Sequence, residues 1–306
     1  MRKAMLLYNP LSGRKSRLTD VEAVLSLLRE AGVQASAAPT RAASDAADQT
    51  RQAIADGCDT VFACGGDGTI HDVLQGLVGS NAALAIIPLG TANSLAHDLR
   101  LPLSAIAAAQ TALTAKPRRI AVGRIEYQDF SGNRASRYFT VLTGIGVDAH
   151  LFYKLNSQAK RQFGIAAYCA KAIQMWLTHG METFEVEIEG SRQATVSQLL
   201  AVRIGNFGGV LRQLAPCASL DRDDLRLVLF ETSSRLAYLR YVLRGLFGAN
   251  WNVSGIELIH STTAICRAAS PDGNSRIFVE ADGELLGTLP AQISVVQDSL
   301  TLLAPH

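Results

Sequence analysis

Gly65-Gly66-Asp67-Gly68-Thr69 packs three glycines and a carboxylate into five residues, directly after an apolar run and before a helical pattern. Glycine lets a backbone approach a ligand closely and take positive φ. Free N–H groups at the start of the next helix favour phosphate. Asp67 adds a group able to hold Mg2+ or a proton, which a bare phosphate cradle would not require. The run is neither GxGxxG nor GxxxxGK[ST], so neither nucleotide fingerprint applies. The same residues would also serve as a tight strand-to-helix turn with Asp67 as its cap. A second polar loop, Pro88-Leu89-Gly90-Thr91-Ala92-Asn93, follows the next apolar run, and Asn9-Pro10 with Ser12-Gly13 follow the first one. In an open parallel sheet, ligands bind at the carboxyl ends of the strands, so all three loops would face one crevice.

The elements that must position these loops alternate. Residues 3–8, 34–39, 60–64 and 84–87 read as strands, and 16–31, 44–56 and 70–78 as helices, with Ser44 a plausible cap. That order predicts right-handed crossovers and a mostly parallel sheet covered on both faces. Past Lys116-Pro117 the period changes to two. Strands are expected at 120–127, 138–143, 184–188, 196–204, 225–231, 277–281, 293–296 and 300–303, with helices over 157–179 and 234–247. Phe184, Val186 and Ile188 alternate with Glu185, Glu187 and Glu189, as in a half-exposed strand. The expected fold class is α/β plus β: an N-terminal doubly wound α/β domain (1–118) and a C-terminal β-sandwich-like domain (119–306), with a cleft between them. The extreme C-terminus is expected to pack back on the first domain.

Composition limits the function classes. With 306 residues, two domains are the starting expectation. Apolar residues at 48% exclude disorder as the main description. A formal charge of +2 is too balanced for a chain that coats nucleic acid, so none is expected as partner. Five scattered cysteines without a CxxC pair give no zinc site or disulfide framework and suit a reducing, cytoplasmic setting. The uncharged stretch 73–97 is long enough to span a bilayer, but Gly79-Ser80-Asn81 and Pro88-Leu89-Gly90-Thr91 interrupt it. A membrane helix is therefore not expected there.

Taken in order, these motifs resemble the lipid kinase family that contains diacylglycerol kinase catalytic domains, sphingosine and ceramide kinases and the YegS-like bacterial enzymes. The resemblance runs from Asn9-Pro10 and Ser12-Gly13 through the Gly65–Val73 run with Gly76-Leu77 and the Pro88–Ala96 run. It continues in Gly144-Ile145-Gly146-Val147-Asp148-Ala149, then Lys160-Arg161, Phe163-Gly164 and Tyr168. It closes on Val279-Glu280-Ala281-Asp282-Gly283-Glu284, Pro290 and Leu303-Ala304-Pro305.

The resemblance implies transfer of the γ-phosphoryl of ATP, with Mg2+, to a lipid hydroxyl. Diacylglycerol is the first expectation, with sphingoid base, ceramide or phosphatidylglycerol as alternatives. Nucleotide contacts carry over to Asn9, Thr40, Gly65, Gly66, Asp67, Gly68, Thr69, Gly90, Thr91 and Asn93. The catalytic base carries over to Asp282 with Glu284 beside it, and Asp67 to the acidic residue of metal binding or catalysis. By themselves, Asp282-Gly283 would read as a hairpin turn. An accessory cation site is implied at Leu220-Asp221-Arg222-Asp223-Asp224-Leu225, where relatives carry Asp-Asp-Gly. Ungapped, Arg222 falls on an expected carboxylate; a one-residue shift brings Asp223 there, so Asp221 and Asp223 join Asp67 as metal candidates.

A lipid kinase must reach its substrate at a membrane surface, and two basic, apolar helical patterns suit peripheral contact. One carries Lys154, Lys160, Arg161 and Lys171. The other carries Arg235, Arg240 and Arg244 with Leu236, Leu239, Leu243 and Leu246, followed by Phe247 and Trp251. Each pattern equally suits a helix packed on a core. A homodimer is the expected assembly for this family. Two rival functions remain. NAD kinases share the Gly-Gly-Asp-Gly loop, and a nucleotide-sensing membrane module would keep the fold without turnover.

Overall fold

The computed structural model describes residues 1–10, 17–40, 45–147, 149, 180–208, 214–247, 252–269 and 277–305. Several sequence features lie outside these residues: Ser12-Gly13, Ser44, Asp148, the expected helix over 157–179 with its basic residues, and Trp251.

Strands β1 (Lys3–Tyr8), β2 (Gln34–Pro39), β3 (Thr60–Gly65) and β4 (Ala83–Pro88) alternate with helices α1 (Arg17–Glu30), α2 (Asp45–Ala55) and α3 (Asp67–Leu77). They pair in parallel in the order β2-β1-β3-β4. β3 and β4 are buried along their whole length because both faces are covered. Val61, Ala63, Leu84 and Ile86 pack toward α3, where Ile70, Val73 and Leu74 meet them. Phe62, Cys64, Ala85 and Ile87 pack on the opposite face with Val24 and Leu28 of α1. Two more helices, α4 (Ser94–Asp98) and α5 (Ala105–Thr114), complete this half.

The second half is antiparallel. β5 (Pro117–Gln128), β6 (Arg134–Phe139), β7 (Leu142–Gly146), β8 (Phe184–Ile188), β9 (Arg192–Val196) and β10 (Gln198–Val202) come first. β11 (Leu225–Phe230), α6 (Arg235–Phe247), β12 (Ile256–Ser261), β13 (Thr263–Ala268), β14 (Phe278–Ala281) and β15 (Glu284–Leu303) follow. One wall is β12-β11-β10-β7-β14, and the other joins β6, β5, β15, β13, β8 and β9. Phe139, Ile145, Phe184, Leu227, Val279 and Ile293 fill the space between the walls. In β8, Phe184, Val186 and Ile188 are buried while Glu185 is exposed, so the period-two pattern faces this core.

The second half is joined to the first through β15. Its early residues form a hairpin with β14, and its late residues Thr301 and Leu302 run parallel to Ala83 and Leu84 of β4. The sequence predicts two strands over 293–296 and 300–303; the structure has one. The register shift between Val296 and Leu300, with Asp298 at φ +46°, absorbs the polar interruption as a bulge instead of ending the strand. Helix α6 seats Ala237, Tyr238 and Tyr241 against Val202, Val228 and Phe230, and leaves Leu236, Leu239, Val242 and Phe247 exposed.

Candidate active site

The parallel strands end level with one another. Tyr8 is opposite Pro39 and Cys64, and Gly65 is opposite Pro88. Asn9, Thr40, Gly66 and Gly90 therefore lie along one edge of the sheet, where an open α/β sheet binds ligand. Thr40 donates its backbone N–H to Tyr8 O at 2.8 Å, which fixes the end of β2 against β1.

The two glycine loops touch. Leu89 N–H donates to Gly65 O at 2.8 Å, and a Cβ placed on Gly66 would lie 3.1 Å from Gly90 Cα. Only residues without side chains permit that backbone approach. Asn93 locks the second loop from a left-handed conformation (φ 51°, ψ 47°), accepting Gly90 N–H on Oδ1 at 2.8 Å and donating Nδ2 to Gly90 O at 3.0 Å. Asn93 and Thr69 are buried and act on loop shape, whereas Thr91 is exposed at the edge.

Asp67 does not cap α3: the N-cap is Gly66, without a side-chain bond. The carboxylate crosses to the other loop, where Oδ1 accepts Ser94 N–H at 2.7 Å. Burial pushes the Asp67 carboxyl above its ordinary range; the amides of Ser94, Leu95 and Asn93 counter this, and the charge of Asp282 adds to the rise.

Asp282 and Gly283 do form a hairpin turn, between β14 and β15, with φ +48° and +84°. The turn aims the Asp282 side chain inward. Oδ1 accepts Val141 and Leu142 N–H, each at 3.0 Å, and Oδ2 accepts Thr140 N–H at 3.0 Å and faces His71 Nδ1 at 3.4 Å. Both the Asp282 and His71 side chains are 2% exposed. Three amide donors and the His71 ring nitrogen thus surround the two oxygens of one carboxylate. Glu284, two residues on, has the opposite setting. It is solvent-exposed, and its Oε1 lies 3.3 Å from where a Cβ on Gly68 would sit, so it stands over the first turn of α3. Surrounding protein still desolvates the Glu284 carboxyl enough to raise it; His71 and Arg137 oppose the rise and Asp72 adds to it.

Docking of the second half onto α3 makes this cluster possible. Gln75 Nε2 donates to Tyr138 O at 2.9 Å, and Tyr138 N–H donates to Gln75 Oε1 at 2.9 Å. This reciprocal pair holds the end of β6 on α3 and thereby places the Thr140–Leu142 amides under Asp282. Asp98 makes a second tie: Oδ1 accepts Gly205 and Asn206 N–H at 3.0 and 2.9 Å. Burial raises its carboxyl in spite of those donors.

The sequence singled out Asp67, Asp282, Glu284 and both glycine loops, and the structure assembles them. It missed Gln75, Arg137, Asp98 and the Thr140–Leu142 amides. Asp98 was within reach, since it sits one helical turn beyond Ser94 and is the first charged residue after the uncharged stretch 73–97. Backbone amides leave no signal in residue types.

The donor chemistry divides the metal candidates. A single carboxylate at a cleft edge, completed by substrate phosphates, is an ordinary Mg2+ environment, and Asp67 fits it. Asp221 does not, and Asp223 is an exposed carboxylate whose neighbours in the loop are engaged elsewhere. Asp221 is paired with Arg118, Asp224 with Arg222 and His260, and the loop's carbonyls are taken by Arg203. Among the described residues, no group of three His, Cys, Asp or Glu side chains converges on a point that could hold a metal.

Comparison with known proteins covers both halves of the chain. Residues 3–125 match the family model of the diacylglycerol kinase catalytic domain. Residues 141–304 match that of the YegS C-terminal NAD kinase beta sandwich-like domain. A diacylglycerol kinase of Bacillus subtilis (strain 168) is 28% identical over 295 residues, covering 95% of this chain and 93% of its own. One from Staphylococcus saprophyticus is 25% identical, covering 100% and 96%. The crystal structure of a putative diacylglycerol kinase from Bacillus anthracis superposes with a TM-score of 0.76 at 20% identity, over 99% of this chain and 97% of the other. Yeast NADH kinase complexed with NADH superposes at 0.56 and 12% identity, over 100% and 84%, a likeness of fold.

Proposed function

Because the chain belongs to the YegS-like family of lipid kinases, we propose that it transfers the γ-phosphoryl group of ATP to the hydroxyl of a membrane lipid, with diacylglycerol the first acceptor to test. The observation that carries this reading is the meeting of Gly66 and Gly90 at the carboxyl edge of the sheet, with Asp67 and Glu284 beside them. The nucleotide lies along Asn9, Thr40, Gly65–Thr69, Gly90 and Thr91. Asp67 would hold the Mg2+ carried by ATP, which would offset charge on the phosphates.

Phosphoryl transfer needs in-line positioning, charge neutralisation and an acceptor for the hydroxyl proton. The close loops position the phosphates, and backbone N–H groups at the start of α3 face them. For the proton, family resemblance points to Asp282. Its oxygens are engaged by three amides and His71, whereas Glu284 is exposed over the first turn of α3. In this reading Glu284 takes the proton, and Asp282 holds the Thr140–Leu142 segment and supplies a fixed negative charge behind it. A positioned base contributes about 10²–10⁴-fold.

Among the described residues no helix is long and apolar enough to cross a membrane. The enzyme is proposed to act from the cytoplasm, meeting its lipid through peripheral contact.

The test is transfer of radiolabelled γ-phosphate from MgATP to mixed micelles carrying diacylglycerol, monoacylglycerol, ceramide, sphingosine or phosphatidylglycerol, with NAD as a soluble acceptor and Glu284→Gln as control. Label on one lipid, lost in Glu284→Gln, is the expected result. Label on NAD alone would replace the lipid reading with the NAD kinase one. ATP binding without transfer to any acceptor would favour the nucleotide-sensing module.

A further inference from the structure

Arg203 follows β10 and is wholly buried. An arginine stays charged in a protein, and a buried charge is tolerated only where its hydrogen bonds are met. Here carbonyl oxygens meet those of both Nη groups, while the buried Nε–H has no partner. Nη1 donates to Arg222 O at 2.7 Å and to Asp224 O, and Nη2 to Ala121 O at 2.8 Å and Leu220 O at 3.3 Å. Three of these carbonyls belong to the loop between residues 220 and 224, and the fourth comes from β5 on the other wall. Asp221, Asp223 and Asp224 surround the guanidinium with negative charge, which opposes the effect of its burial.

This is the loop at which the family resemblance calls for an accessory divalent cation. Such a cation would be held by carbonyl and carboxylate oxygens. The carbonyls at this loop converge on the guanidinium, and two of the three carboxylates are claimed by other side chains: Asp221 by Arg118, and Asp224 by Arg222 and by His260 Nδ1 at 3.2 Å. A second positive charge in the same cage would face the first without enough oxygen atoms to shield it.

We propose that the Arg203 guanidinium takes the place of the accessory cation, tying the 220–224 loop to β5 from within the chain, so that this loop binds no divalent ion. The expectation of a cation there rests on the lipid kinase reading. The proposal depends on neither the acceptor nor turnover, so it is tested without substrate and its failure is separable from that of the proposed function.

The experiment is thermal unfolding of chelator-treated, nucleotide-free protein, with and without millimolar Mg2+, Ca2+ or Mn2+, for wild type and the Asp221→Asn/Asp223→Asn double variant. A cation bound only to the folded state raises Tm by several degrees at saturation. The expected result is the same response to each cation in both proteins, since any ion bound near Asp67 contributes equally. A saturable rise present in wild type and lost in the double variant would overturn the proposal. Arg203→Met is expected to lower Tm by several degrees, because four carbonyls lose their donor; an unchanged Tm would also overturn it. Should that variant fail to fold, the comparison of wild type with the double variant decides alone.

Discussion

Gly66 and Gly90 approach so closely that a Cβ on Gly66 would sit 3.1 Å from Gly90 Cα, which brings the loops at the ends of β3 and β4 into backbone contact. The reverse substitution is less tolerable. A Cβ on Gly90 would overlap Gly66 Cα and lie 2.5 Å from Asn93 Oδ1. Gly90→Ala is expected to part the loops, costing about 1–3 kcal/mol of stability as overpacking does and raising KM for MgATP more than tenfold (roughly 1.4 kcal/mol or more). Gly68→Ala is the contrasting case. Its Cβ meets only the end of the Glu284 side chain, at 3.3 Å. Helix propensity favours the alanine by up to about 1 kcal/mol, so Tm should hold or rise while kcat falls as Glu284 is displaced. Calorimetry and MgATP titration of both variants check this pair.

Asp67→Asn should trade stability against activity. Burial, reinforced by Asp282, raises the Asp67 carboxyl, so the folded state holds that proton more tightly than the unfolded chain does. The stability it contributes is complete below the unfolded-state value near ~3.9 and is lost as pH rises through the raised folded value. At neutral pH the carboxylate is therefore a net cost that asparagine removes. The variant should melt higher than wild type at pH 7, lose that advantage in acid, and lose about 10²–10⁴ in rate. Equal Tm differences at both pH values would contradict this.

Asp282→Asn should damage the fold as well as the chemistry. An amide Nδ2 would point a donor at the N–H groups of Thr140 or of Val141 and Leu142. A mismatched buried pair costs about 1–3 kcal/mol. Glu284→Gln removes a charge at an exposed position and should leave Tm nearly unchanged while abolishing transfer. Denaturant melts of the two variants, read beside their rates, separate an organising carboxylate from a reacting one.

The pH profile identifies which carboxylate must be ionised. The Glu284 carboxyl is raised by desolvation and further by Asp72, against His71 and Arg137. The acid limb of kcat/KM should therefore lie above the ordinary glutamate range, with activity gained as pH rises through it. Asp72→Asn should move the limb to lower pH, and Arg137→Met to higher pH. If neither change moves the limb, Glu284 is not the group it reports and Asp282 becomes the base.

Much of the fold was legible because its signals are local. The period change near Lys116-Pro117, the apolar runs of β3 and β4 and the alternation in β8 each follow from which faces of an element are buried. The glycine loops were legible for the same reason: close backbone approach demands glycine, and glycine shows in the sequence. Asp282 could be read as part of a hairpin turn with Gly283 or as a catalytic base beside Glu284, and the structure makes it a turn residue whose carboxylate is aimed inward.

What the sequence determined by itself was the set of elements, their order and the residue types at the strand ends. Tertiary structure alone decided which carboxylate is closed and which is open, because that depends on the Thr140–Leu142 amides, which any residue type can offer. It also decided the fate of the 220–224 loop. Arg203 lies close to twenty residues away in sequence, and only the pairing of β10 with β11 brings its guanidinium among those carbonyls. Contacts between distant backbone groups are fixed by register and packing, and neither is written at any single position.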